Sequence, residues 1–147
     1  MDAQHLYRIV LIDDSRMARL GLREQLNRTA EFRIVGEAAS MAEGLELIER
    51  LNPDLVLLDI SLPDGSGVQA CCRLVAGRPD TRVLILSVYD DPAVIREAIA
   101  AGAQGYVLKD TPVAMWRNAM RRAAGSGVVL GPQLIGLVLM EVREMAN

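Results

Sequence analysis

Short apolar runs alternate with segments of helical periodicity five times along the chain, and this alternation most limits the possible folds. The runs are Arg8–Ile12, Phe32–Ala38, Leu55–Leu58, Val83–Leu86 and Gly105–Leu108. Between them, apolar residues recur at the spacing of one helix face. Five strand–helix units in succession require a parallel sheet with right-handed crossovers and helices on both faces. We therefore expect a doubly wound α/β fold with a five-stranded parallel sheet.

The character of each run predicts its position in that sheet. Leu55–Leu58 and Val83–Leu86 are continuously apolar, as strands buried on both faces are. Phe32–Ala38 instead alternates with a period of two, which indicates a strand nearer an edge. The composition is 51% hydrophobic but only 3% aromatic, which suits an aliphatic α/β core better than an aromatic β-sandwich.

The pattern changes after Ala124, and the chain divides there. We assign residues 1–124 to the folded domain, because 147 residues are enough for one domain and an additional helix. Residues 125–147 contain the hinge-like sequence GSG and then one more helix, from about Pro132. That helix is apolar on nearly every side, so we expect it to contact a partner subunit or an output domain outside this chain.

Charge, cysteine content and hydropathy exclude several classes of function. A net charge of −3 with no basic stripe argues against nucleic-acid binding by this chain alone. Two adjacent cysteines, Cys71 and Cys72, and a single histidine provide neither a disulfide framework nor a zinc site, which indicates a reducing cytoplasm. We find no signal peptide, and the longest uncharged stretch, Ala123–Met140, is interrupted by glycine and proline. We expect a soluble, cytoplasmic protein that does not contact a membrane.

Polar residues follow four of the five predicted strands. Asp13 and Asp14 follow the first, Asp59 the third, Ser87 the fourth and Lys109 the fifth. Each has an ordinary structural explanation as a helix cap, a turn former, a satisfied hydroxyl or a solvated strand end. All five nevertheless meet at the carboxyl edge of the sheet, where ligands of such folds bind. Lys109 is also the only lysine among sixteen basic residues.

Three clustered carboxylates predict a cation site. Two such charges 4 Å apart repel by about 4 kcal/mol at an effective dielectric constant near 20, so the site should bind a cation or hold a proton. Mg²⁺ fits, because it accepts one or two carboxylates and bridges to phosphate oxygens. An aspartate beside Mg²⁺ is a possible nucleophile toward phosphorus, and a hydroxyl and an ammonium can then bind phosphoryl oxygens.

Together, the acidic pair, Asp59, the serine before VYDDP and the sequence GYVLKD resemble a response-regulator receiver domain. The spacings between the last three sites, 87 − 59 = 28 and 109 − 87 = 22, also match that family. The resemblance covers about Tyr7–Ala124 and implies a flavodoxin-like fold. The sequence AGAQGYVLKD and the hinge are most similar to the NarL/FixJ (LuxR-type) transcriptional regulators. In those proteins a helix-turn-helix domain follows the receiver, and we expect no DNA-binding domain within this chain.

The resemblance implies a role for each residue of the acidic set. Asp59 would accept a phosphoryl group from a phosphohistidine of a sensor histidine kinase. Asp14 would bind Mg²⁺ directly, Asp13 largely through water, and the backbone carbonyl of Ser61 would complete the protein ligands together with Asp59. The protein would assist only its own phosphorylation and dephosphorylation.

The resemblance also implies a switch. Ser87 and Lys109 would bind phosphoryl oxygens, and movement of Ser87 would let Tyr106 turn inward. That rotation would reshape the surface of helix 4, strand 5 and helix 5, through which a homodimer or an output domain would respond. Tyr106 is equally explained as a half-buried packing residue of its strand.

Two other functions remain possible from the sequence. One is an aspartate-nucleophile phosphohydrolase of the haloacid-dehalogenase kind, whose second acid is expected two residues after the nucleophile, where this chain has Ser61. The other is a receiver-like docking scaffold that is never phosphorylated.

Overall fold

The computed structural model describes residues 6–60, 67–78, 80–88, 90–125, 129–130 and 143. The strands are β1 Tyr7–Ile12, β2 Phe32–Ala38, β3 Leu55–Asp59, β4 Arg82–Ser87, β5 Gly105–Leu108 and β6 Val129–Leu130. The helices are α1 Arg16–Leu26, α2 Met41–Leu51, α3 Gly67–Gly77, α4 Pro92–Ala100 and α5 Val113–Gly125. All strands pair in parallel, in the order β2-β1-β3-β4-β5-β6.

The structure confirms the predicted doubly wound parallel sheet. All five predicted strands are present, and β2 lies at an edge while β3 and β4 are central. The short strand β6 was not predicted, and it extends the sheet beyond β5 within the stretch that the sequence assigned to a hinge. The helix predicted from Pro132 lies outside the described residues except for position 143, which is helical, so it stays a prediction.

The sheet separates two apolar clusters, because successive side chains of each strand point to opposite faces. One cluster joins Val10, Ile12, Val56, Leu58, Val83 and Ile85 to buried residues of α2, α3 and α4. The other joins Ile9, Leu11, Leu55, Leu57, Leu84, Leu86 and Val107 to α1 and α5. The central strands are therefore buried on both faces, as their continuous apolar sequence predicted.

Helix caps fix the loops at the carboxyl edge of the sheet. Ser15 caps α1 and its hydroxyl accepts a hydrogen bond from the Ala18 N–H, while Asp91 caps α4 just before Pro92.

Within the described ranges, no helix is long and apolar enough to cross a membrane. Cys71 is buried and Cys72 is exposed, and neither forms a disulfide.

Helix α2 lies close to Ile12 of β1 at Gly44, which gives a test of this packing. A Cβ atom there would overlap Cδ1 of Ile12 and lie 2.8 Å from its Cγ1. Because Ile12 is fully buried, we expect Gly44→Ala to lower the free energy of unfolding by about 1–3 kcal/mol in urea denaturation. The matched control is Gly21→Ala in α1, where an added Cβ meets nothing within 4 Å. That change should stabilise the protein by about 0.5–1 kcal/mol, and a neutral Gly44→Ala would contradict the packing described.

Candidate functional site

The site lies at the carboxyl edge of the sheet, where four neighbouring strands end. Asp13 follows β1, Asp59 is the last residue of β3, Ser87 is the last residue of β4, and Lys109 follows β5. Since β1, β3, β4 and β5 are adjacent in the sheet, the topology brings residues distant in sequence to one place. The structure therefore assembles the polar set that the sequence selected.

Three carboxylates form a compact acidic centre. Asp13, Asp14 and Asp59 each offer an oxygen, and these oxygens all lie within 4.8 Å of one another. Asp13 and Asp59 are buried, whereas Asp14 is exposed, so the centre opens to solvent on the side of Asp14. Carboxylate oxygens at these separations form a donor set that could hold a hard divalent cation.

Lys109 links the two buried carboxylates. Its Nζ donates a hydrogen bond of 2.9 Å to Oδ2 of Asp13 and lies 3.4 Å from Oδ2 of Asp59. Burial alone would lower the pKa of Lys109, but the hydrogen bond to Asp13 and the charges of both aspartates outweigh it, and the pKa is raised. Three carboxylates and one ammonium leave two formal negative charges at the centre. That surplus favours a divalent cation.

The backbone N–H, the backbone carbonyl and both carboxylate oxygens of Asp13 all form hydrogen bonds. Its N–H donates to the Ala38 carbonyl at 3.0 Å, and its Oδ1 accepts from the Ser15 N–H at 2.9 Å. Its own carbonyl accepts from Nη1 of Arg19 at 2.5 Å. The helix-cap and functional interpretations of this segment are therefore compatible, because Oδ1 supports the turn while Oδ2 faces Lys109.

Ser87 and Tyr106 lie together beside the acidic centre, and both are fully buried. Burial raises the pKa of the Tyr106 hydroxyl, a hydrogen bond with the Ser87 side chain partly offsets this, and the charges of Asp90, Asp91 and Asp59 raise it further. The N–H of Lys109 donates to the Ser87 carbonyl at 2.9 Å, joining the ends of β4 and β5. Tyr106 therefore points inward, where it packs in the apolar cluster with Val83, Ile85 and Ile95, and its role as a switch stays a prediction.

A solvent-open cavity of about 440 Å³ lies beside Lys109. Val88, Asp90, Leu108, Lys109 and Asp110 line it. The ammonium of Lys109 is thus within reach of a molecule arriving from solvent.

Ser61 lies outside the described residues, so its role as a metal ligand stays a prediction. Sequence reasoning did not select Arg19, because an arginine in an amphipathic helix has no pattern that separates it from an ordinary surface residue.

The burial of Tyr106 can be tested by alkaline titration. Because its pKa is raised in the folded state, burial of the neutral hydroxyl stabilises the fold below the unfolded pKa of about 10, and this contribution is lost as pH rises through the folded value. Tyrosinate absorbance should show Tyr106 ionising late, together with loss of structure. Tyr106→Phe should remove the late step and Tyr7→Phe should retain it. A late step that survives in Tyr106→Phe would contradict this assignment.

Sequence comparisons with known proteins identify a family that matches most of the chain and relatives that match nearly all of it. The sequence matches the family described as response regulator receiver domain over residues 9–121. The DNA-binding transcriptional activator DevR/DosR of Mycobacterium tuberculosis is 41% identical over 142 residues, which are 97% of this chain and 65% of that protein. The transcriptional regulatory protein DegU of Brevibacillus brevis is 33% identical over 139 residues, 95% of this chain and 59% of that protein. The chain thus spans less than two thirds of either relative.

Solved structures give the same result. A two-component response regulator of the LuxR family from Aurantimonas sp. SI85-9A1 superposes with a TM-score of 0.89 at 28% identity, covering 94% of this chain and 99% of that one. The signal receiver domain of the putative response regulator NarL from Mycobacterium tuberculosis superposes with a TM-score of 0.78 at 34% identity, covering 83% and 99%.

Proposed function

The chain belongs to the response-regulator receiver family, of the NarL/DegU type, and we propose that Asp59 is its phosphoacceptor for a sensor histidine kinase. The observation that carries this proposal is the acidic centre itself. Asp59 is buried at the end of a central strand, within 4.8 Å of two further carboxylates and 3.4 Å from the ammonium of Lys109. On this proposal the carboxylate nucleophile, the cation site and the phosphoryl-binding ammonium are adjacent.

Mg²⁺ is the cofactor that this donor set fits best. The ligands are carboxylate oxygens, the centre has two surplus negative charges, and one side is open for water and phosphate oxygens. We assign direct binding to Asp14 and Asp59, water-mediated support to Asp13, and the remaining protein ligand to the backbone carbonyl of Ser61. A bound Mg²⁺ would neutralise the charge that otherwise repels an incoming phosphoryl group.

The proposed reaction is a phosphoryl transfer without turnover of a substrate. An oxygen of Asp59 forms the new bond to phosphorus while the bond from phosphorus to the kinase histidine nitrogen breaks. Lys109 and the hydroxyl of Ser87 stabilise the equatorial oxygens of the transferred group. On this proposal the chain assists only the gain and loss of its own phosphoryl group, as a signalling protein and not as an enzyme.

The proposed output depends on Ser87 and Tyr106. A phosphoryl group that engages Ser87 would favour the buried position of Tyr106 and so shift the population of α4–β5–α5 surfaces. We propose that residues 1–124 form the receiver and residues 125–147 the hinge and interaction helix. The surface and that helix would control a second copy or a DNA-binding output domain, since the curated relatives are transcriptional regulators of greater length.

Phosphorylation of Asp59 is directly testable by intact mass. Incubation with Mg²⁺ and acetyl phosphate should add a single labile phosphoryl group, whereas a chelator or Asp59→Asn should abolish it. Asp80→Asn is a matched control, because Asp80 is exposed beyond the other end of the strands and should leave the adduct unchanged. No adduct on the wild type would favour a docking scaffold, and sustained phosphate release from many monoesters would favour a phosphohydrolase.

The choice of lysine at position 109 gives a second test. A flexible ammonium can contact two carboxylates from different strands, whereas a planar guanidinium favours one partner with two parallel acceptors. We expect Lys109→Arg to be phosphorylated at Asp59 but to show a clearly smaller change in amide hydrogen exchange across α4, β5 and α5 than the wild type. Arg50→Lys, an exchange between the same two residue types at an exposed position of α2 outside the α4–β5–α5 surface, is the control. A wild-type response in Lys109→Arg would contradict the role given to the lysine.

A further inference from the structure

An arginine of α1, Arg19, lies between the acidic centre and the edge strand β2. Its Nη1 donates to the backbone carbonyl of Asp13 at 2.5 Å, and its Nε lies 3.6 Å from Oε1 of Glu37 in β2. Both side chains are mostly buried, at 18% exposure. Glu37 also accepts a hydrogen bond from Arg23, whose side chain is 49% exposed. Arg19 is thus the member of this group that reaches the functional site.

The direction of the Asp13 backbone carbonyl affects the conformation of the turn between β1 and α1. It belongs to a fully buried residue between the end of β1 and the cap of α1 at Ser15. A buried carbonyl without a donor is costly, and Arg19 supplies that donor. The hydrogen bond also fixes the peptide plane after Asp13. With the Ala38 carbonyl, the Ser15 N–H and Lys109 as further partners, neither the backbone nor the carboxylate of Asp13 is free to turn.

Glu37 offsets part of the charge of Arg19. A guanidinium next to a cation site would by itself disfavour a second cation, and the carboxylate of Glu37, which is shared between Arg19 and Arg23, reduces this repulsion. The favourable effect of Arg19 on the centre is therefore directional, through one hydrogen bond to the backbone.

We propose that Arg19 is a positioning residue for the acidic centre. Its bond to the Asp13 carbonyl, supported by Glu37, holds the turn Asp13–Ser15 so that the Asp13 carboxylate keeps its orientation toward a divalent cation and Lys109. The inference rests on the proposed function, since the cation is the Mg²⁺ proposed for this centre. Partners of this kind, one step removed from the metal, commonly govern metal affinity.

The test is Mg²⁺ affinity of the full chain, measured by isothermal titration calorimetry without a phosphodonor. Arg19→Gln is expected to weaken Mg²⁺ binding about tenfold, and Arg19→Lys, which keeps a charged donor, only about threefold. The matched control is Arg23→Gln, because Arg23 bonds the same glutamate and, among the described residues, has no hydrogen bond or ion pair with Asp13. It should stay within about twofold of wild type, as expected for an exposed ion pair.

Urea denaturation in chelator separates positioning from simple stabilisation. A purely structural Arg19 would lower the stability of Arg19→Gln while leaving Mg²⁺ affinity at the wild-type value, and this result would overturn the inference. Equal weakening in Arg19→Gln and Arg23→Gln would also overturn it, since the contact with Glu37 that both arginines share, and not the bond to Asp13, would then explain the effect. If Arg19→Gln does not fold, Arg19→Lys against Arg23→Lys decides by the same criterion.

The inference and the proposed function fail differently. Wild-type protein that gains a phosphoryl group at Asp59 in the presence of Mg²⁺, while Arg19→Gln binds Mg²⁺ normally, would refute only the role of Arg19. Wild-type protein that binds no Mg²⁺ would refute both.

Discussion

The ammonium of Lys109 joins two buried carboxylates from different strands, and the arrangement of the carboxyl edge depends on this contact. Asp13 and Asp59 would repel each other at the ends of β1 and β3 without a cation between them. Burying such charges is unfavourable unless they are paired and hydrogen-bonded, and replacement by apolar residues is often tolerated better. The central strands β3 and β4 are apolar between their ends, and the charged group lies at the carboxyl edge of the sheet.

Most of the fold was predictable because buried parallel strands have a simple sequence pattern. The continuous runs around Leu57 and Ile85 predicted central strands, and the alternation in β2 predicted an edge. Parallel topology then brought the residues after β1, β3, β4 and β5 to one edge with no information on side-chain geometry. This explains why Asp13, Asp59 and Lys109 could be grouped from sequence alone.

Other features depend on contacts that a one-dimensional pattern does not contain. The two residues of β6 are too few to show a period, and their pairing is set by how the chain returns after α5. The contact of Arg19 with the Asp13 carbonyl requires a particular packing of α1 against β2, and arginines on the exposed side of α1 look the same in sequence. Tyr106 was ambiguous because an aromatic residue on a strand beside a helix face is compatible with either orientation. In the structure it is buried in the apolar cluster with Ile85 and Ile95.

The pairing of β6 with β5 has a consequence for association through strand addition. In a five-stranded sheet, β5 would present a row of free backbone groups at the edge, to which another chain could add a strand. Here Val129 and Leu130 lie opposite Gly105 and Tyr106, and they occupy that edge. A strand from another chain could pair with β5 at Tyr106 only after displacing Val129 and Leu130. The edge of β5 at Gly105 and Tyr106 is thus protected by the protein's own chain.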